Sequence, residues 1–194
     1  MKNENNENTP QNARPEIEDA IHATLSGNAL KNSLDFVASM RANGFSFEGS
    51  DTGNAFNAEN WVPTYKGKGI GCINVAPKWS QENDEFILWL GLECDFGGSA
   101  DDELKEFAWA HVAICPQEKH CKPPYCANNK NRWKIFGKEY GSACHAPLVF
   151  WNPDAKVFEN IKKLMLVLKE NRSSVPPLKE ITIEARKPCR GSSY

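Results

Sequence analysis

Four cysteines fall within a single stretch of thirty residues: Cys115, Cys121, Cys126 and Cys144, in the spacing C-x5-C-x4-C-x17-C. Among the first three stand His120, Lys122, Pro123 and Pro124, in a segment with little apolar content. A free cysteine otherwise behaves as a small buried hydrophobe, so thiols in a polar stretch point to reactivity or ligation rather than packing. Four thiolates converging on one ion form a tetrahedral zinc site. In zinc peptides such a site contributes roughly 10–16 kcal/mol at neutral pH, ample to hold a long loop. His120 and His145, each next to a cysteine, are alternative ligands. Two other readings stay open for the same residues. The thiols are reduced and divided between core and surface, or they form a redox switch. In the second case Cys121 is the reactive thiolate, favoured by positive charge at His120 and Lys122. Cys72 and Cys94 sit in strand patterns and read as core or ladder residues, and Cys189 lies near the C-terminal end.

Six tryptophans form a second set. Trp61, Trp89 and Trp133, if they project from one sheet face, would line a cleft for a flat or cationic ligand; core packing is the alternative. His111 stands four residues before Cys115, at ligand spacing, but among Leu104, Phe107 and Val112 it reads as a hydrogen-bonded core histidine. Glu93 and Asp95 share a strand face with Trp89 and suit acid–base work only if one is desolvated; a solvated face is the simpler reading. The glycines at 67, 69 and 71 lack the Gly-Lys-Ser/Thr of a phosphate loop and read as a hairpin turn. No nucleophile elbow or Ser-His-Asp order occurs. These residues predict a non-enzymatic domain with a zinc site that binds a small molecule or a protein partner. The alternative is a thiol-based redox sensor or enzyme.

Bulk composition narrows the setting. A chain of 194 residues suffices for one well-buried core. Its formal charge of −2 is spread in mixed sign, with no basic run, which argues against a nucleic-acid partner. The longest apolar stretches, such as Phe86 to Leu92, fall far short of the roughly 20 residues that span a bilayer. The first fifteen residues carry no apolar signal core, so a reducing, cytoplasmic setting is expected, where structural disulfides are rare. An odd count of seven cysteines agrees with that.

The elements that must position these groups read as follows. Residues 1–14 are Asn-rich and expected to be a disordered tail. Residues 15–32 read as a peripheral helix with Ile17, Ile21 and Leu25 on one face, ended by Gly27-Asn28. The main domain, residues 33–172, opens with Ser33 as cap of a helix that stops at Asn43-Gly44. Trp61 to Val75 is extended and broken by a turn at Lys66 to Gly69. Glu85 to Phe96 alternates strictly, with Phe86, Leu88, Leu90, Leu92, Cys94 and Phe96 on one side. Ser99 caps a helix with Leu104, Phe107, Ala108, His111 and Val112 inward. Strands follow at Trp133 to Phe136 and Pro147 to Trp151. Asn152 caps a last helix, with Pro153 in its first turn and Asp154 near its positive end; its core face is Val157, Ile161, Leu164 and Leu168. Residues 173–194 read as a tail, with Lys179 to Ala185 as an edge strand. The order α-β-β-α-β-β-α predicts a single α+β domain, an antiparallel sheet with helices on one face.

The run from Trp133 to Cys144, WKIFGKEYGSAC, resembles a segment of a family of small bacterial proteins, Firmicutes-type, that have no established activity. They carry a Cys-rich stretch, an Ile-Phe-Gly-Lys-Glu-aromatic motif, a further cysteine and an Asn-Pro-Asp-Ala helix start. The matching positions here are Ile135 to Tyr140, Cys144 and Asn152 to Ala155, within a likeness that spans about residues 33 to 170. Cys115, Cys121 and Cys126 are spread further apart than the family's upstream cysteines. The resemblance implies that the cysteine cluster is a feature of the fold and implies no substrate.

Overall fold

The computed structural model describes residues 15–50, 59–75, 86–91, 96–97, 99–114, 132–141 and 143–174. The chain opens with α1 (Ile17–Thr24), where Ile17 and Ile21 recur at helical spacing and are fully buried. α1 was expected at the periphery. Instead Ile17, Ala20, Ile21 and Leu25 join the main hydrophobic core. The helix after it also begins earlier than Ser33. α2 (Gly27–Ala42) starts after Ser26, because Leu30 and Leu34 extend the inward stripe of Phe36, Val37 and Met40 toward the N-terminus. Gly27 therefore opens α2 and does not end α1, and Ser33 is buried inside the helix. Its stop is as expected: Asn43 Nδ2 donates to Ser39 O at 2.8 Å, and Gly44 takes a φ of 83°. Arg41 ties the two helices together, donating to Glu18 at 2.7 Å and to Glu16 at 3.0 Å.

The strands that follow are β1 (Ser46–Gly49), β2 (Glu59–Tyr65), β3 (Lys68–Gly69), β4 (Gly71–Val75) and β5 (Phe86–Leu90). After them come α3 (Asp102–Ala110), β6 (Val112–Ile114), β7 (Arg132–Ile135), β8 (Lys138–Gly141), β9 (Ala143–Trp151) and α4 (Ala155–Ser174). Among the described residues the main sheet runs β1-β2-β4-β5-β9-β6, with β3 paired to β2, and every strand pair is antiparallel. β7 and β8 make a separate hairpin. The architecture is α+β, as the element order predicts. β1 and β6 escaped the sequence reading, since four and three residues are too short to show a period.

Register assigns each side chain to a face. One face carries Phe47, Trp61, Ile73, Val75, Phe86, Leu88, Leu90, Leu148 and Phe150, all buried. The helices cover it. Phe158 of α4 stacks on Phe36 of α2 at 4.9 Å and meets the edge of Phe86 at 5.5 Å, while Phe107 of α3 stacks on Phe150 at 5.6 Å. Each such ring removed from water contributes about 1.5–3 kcal/mol. The opposite face carries Ser46, Thr64, Asn60, Cys72, Asn74, Ile87, Trp89, Val149 and Trp151.

Two helix caps differ from expectation by a few residues. Asp101, rather than Ser99, caps α3, its Oδ1 accepting from Leu104 N at 2.7 Å. Asp154, rather than Asn152, caps α4, accepting from Val157 N at 2.8 Å. Asn152 takes a φ of 40° and closes the end of β5: Phe86 N donates to its Oδ1 at 2.9 Å, and Asn152 N donates to Phe86 O at 2.8 Å. No helix among the described residues is long and apolar enough to cross a membrane.

Candidate metal centre and the polar sheet face

The Cys-rich segment is bounded by two strands whose partners converge. Ile114, the last residue of β6, pairs with Ala143. Arg132, the first residue of β7, pairs with Gly141. Cys115 follows Ile114 directly in the chain, and Cys144 follows Ala143 directly. Both ends of the segment 115–131 are therefore tied to the short run that leads into Cys144. Paired residues in adjacent strands lie about 4.5–5.5 Å apart, so Ile114 and Arg132 stand within roughly 18 Å of each other, at the root of β9. The ladder shifts register between Val112 and Ile114, an irregularity beside this root. Cys144 is the second residue of β9, and Cys115, Cys121, Cys126 and His120 lie outside the described residues. Among the described residues no group of three or more His, Cys, Asp or Glu side chains is placed to hold a metal.

The neighbouring motif is a hairpin. Phe136 and Gly137 take φ angles of 46° and 84°, the paired positive values of a tight two-residue turn. Lys138 and Glu139 open the return strand. The hairpin is seated by Ile135, fully buried, and by Phe136 N donating to Phe96 O at 3.3 Å. Trp109 of α3 donates its indole N–H to Ile135 O at 2.8 Å, and Lys138 Nζ lies 5.0 Å from the Trp109 ring centre. His111 is hydrogen-bonded within its own turn of chain. Its Nδ1 lies 2.8 Å from Phe107 O, and its ring packs against Phe107 and Phe150.

The tryptophan cleft does not assemble. Trp61 is 1% exposed on the helix-covered face, opposite Ile73. Trp89 pairs with Cys72 and Val149 on the other face. Trp133 belongs to the separate hairpin, opposite Tyr140. The three are distributed over two faces and two sheets, because Trp61 and Trp89 occupy strand positions of opposite parity. No protein-family model, curated protein or solved structure matches this chain.

Trp89 instead joins a buried polar group that the sequence reading passed over. Asn60 and Asn74 are 1% and 3% exposed and stand opposite each other on β2 and β4. Trp89 Nε1 donates to Asn74 Oδ1 at 3.1 Å. Asn74 Nδ2 donates to Asn60 Oδ1 and lies 3.7 Å from Cys72 Sγ. Asn60 Nδ2 is buried and has no partner. An unpaired buried donor of this kind costs about 1–3 kcal/mol. Burial pushes the Cys72 thiol up to about 11, with the Asn74 contact pulling weakly the other way, so Cys72 is a neutral packing thiol and no nucleophile. Nearby, Thr64 is satisfied by Ser46 at 2.6 Å and Glu48 at 3.0 Å. The available signal was composition: asparagine is depleted in strands, and two face each other here.

Proposed function

We propose that this chain is a non-catalytic binding domain whose Cys-rich segment is closed by a structural zinc ion held by Cys115, Cys121, Cys126 and Cys144, in a reducing, cytoplasmic setting. Its partner is a small molecule or a protein. The observation that carries the reading is the pairing of Ile114 with Ala143 and of Arg132 with Gly141. It brings the residues before Cys115 and before Cys144 side by side, and sets Arg132 within roughly 18 Å of Ile114. Holding the two ends of a chain segment this close costs entropy, and the sequence from 115 to 131 has few apolar groups to offset it. Zinc–thiolate bonds supply that compensation.

Cobalt substitution tests the reading. The metal-stripped full chain, titrated with Co(II), is expected to develop the visible bands of a tetrahedral thiolate site, and Cys144→Ser is expected to lose most of that intensity. Absence of the bands, or identical bands in Cys144→Ser, overturns it. One thiol alkylating far faster than the rest would favour a reactive Cys121.

A further inference from the structure

Among the described residues β1 pairs with β2 alone, which leaves one edge of the main sheet open. Ser50 N donates to Asn60 O at 2.9 Å, so Glu48 and Ser46, two and four residues back, also turn their backbone groups toward β2. Phe47 stands opposite Pro63, which has no N–H to give. The N–H and C=O groups of Phe47 and Gly49 therefore point away from β2. An open row of this kind is a template for one more strand. The other outer strand, β6, is a poorer template: its three residues are interrupted by a register shift. The last turns of α4 lie beside the start of β1. Lys169 Nζ donates to Asn43 O at 2.7 Å and lies 5.0 Å from the Tyr65 ring centre. Asn43 comes three residues before β1 and Tyr65 ends β2, so α4 runs out at the end of the sheet where β1 begins.

We propose that residues 180–184 of this chain dock on β1 as a parallel edge strand, with Ile181 beside Phe47. The edge strand expected at Lys179 to Ala185 lies outside the described residues, and the open groups of β1 say where it goes. Alternation sets the parity. Ile181 and Ile183 interleave with Glu180, Thr182 and Glu184, so one parity alone puts the isoleucines on the helix-covered side with Phe47. Charge sets the register. Ser46 and Glu48 are exposed on the other side. With Ile181 beside Phe47, the neutral Thr182 stands beside Glu48. Sliding the segment two residues either way sets Glu180 or Glu184 there, carboxylate against carboxylate. The same register places Ile183 beside Gly49, which has no side chain to oppose it. Direction follows from α4: residues 175–179 reach up to roughly 17 Å from its end, and the segment then runs alongside β1 in the same sense. Phe47 donates to Glu180 O and accepts from Thr182 N–H, while Gly49 donates to Thr182 O and accepts from Glu184 N–H. No proline falls within 180–184 to break this ladder. The docked segment closes the sheet against pairing with a second copy of the chain.

Amide hydrogen exchange in the ¹⁵N-labelled full chain tests the proposal at the residues concerned. The Phe47 and Gly49 amides are expected to be protected in the parent. Thr182→Pro, which removes a ladder donor, is expected to speed both by about tenfold or more, while Ile73 of β4 and Leu88 of β5 stay within about twofold. Those two core amides report that the variant still folds. Mixed samples of ¹⁵N-labelled and ¹³C-labelled chains are expected to show no contact between β1 of one molecule and residues 180–184 of another. Unprotected Phe47 and Gly49 in the parent, or protection that Thr182→Pro leaves unchanged, overturns the proposal. Protection that is lost on dilution, or contacts between differently labelled chains, overturns it in favour of a second copy at the same edge. None of these outcomes involves the thiols, so the metal reading stands or falls separately.

Discussion

Single residues decide more here than their types announce. Cys72 is held protonated by burial, with its thiol raised to about 11 from an ordinary value of 9.0. The folded state keeps this proton over a range in which the unfolded chain releases it. Stability from Cys72 is therefore intact below about pH 9 and declines as pH rises toward 11. Cys72→Ala is expected to lose less stability than the parent between those limits, by an amount of order 1–2 kcal/mol, measured by urea unfolding at pH 8 and pH 10.5. Equal pH slopes in the two proteins would contradict the buried thiol. Asn152 serves through its backbone and its amide together. Asn152→Ala loses the bond from Phe86 N and strains a φ of 40°, an expected cost of about 2 kcal/mol. Asn152→Gly relieves the strain alone and is expected to cost about half as much. Of these two residues, Cys72 was legible as a strand residue. Asn152 was read as a cap because Asn-Pro-Asp offers two capping side chains, and only the position of Phe86 decides between them.

At the scale of elements, local chemistry was the most legible part. The Lys66-Gly67 turn, the Asn43-Gly44 stop and the α4 start depend on a few adjacent residues, and each stands where its residue types require. Asp154→Ala, which removes the cap on α4, is expected to lower stability by about 1 kcal/mol. The strand from Glu85 illustrates the limit. Its alternation shows through Phe86–Leu90, and then Gly91 takes a φ of 100°. A methyl group at Gly91 would meet Pro147 Cδ at 2.7 Å and two Phe96 ring atoms at 2.8 Å. Gly137, by contrast, has a φ of 84° with open space around it. Gly137→Ala is thus expected to cost about 1–2 kcal/mol, from backbone strain alone. Gly91→Ala adds overpacking and should cost at least 3 kcal/mol. Thermal unfolding of both variants checks the order, and a larger loss at Gly137 would contradict the packing around Gly91.

For the whole molecule, what matters is which distant strands become neighbours. Alternation tells which residues share a face within one strand, but not which strand lies beside it. That is why Trp61 and Trp89 were grouped although their positions face opposite ways, and why Asn60 and Asn74 were overlooked until register set them side by side. Distant pairing likewise sets Ile114, which precedes Cys115, beside Ala143 at the start of β9. Spacing along the chain says nothing of that pairing. The most direct measurement is the zinc content of full-length protein purified without added metal, combined with thiol titration before and after chelation. About one zinc per chain, with four thiols that react only once the metal is removed, is the expected result. Less than about 0.2 zinc per chain, with Cys115, Cys121, Cys126 and Cys144 open to reagent from the start, would contradict it.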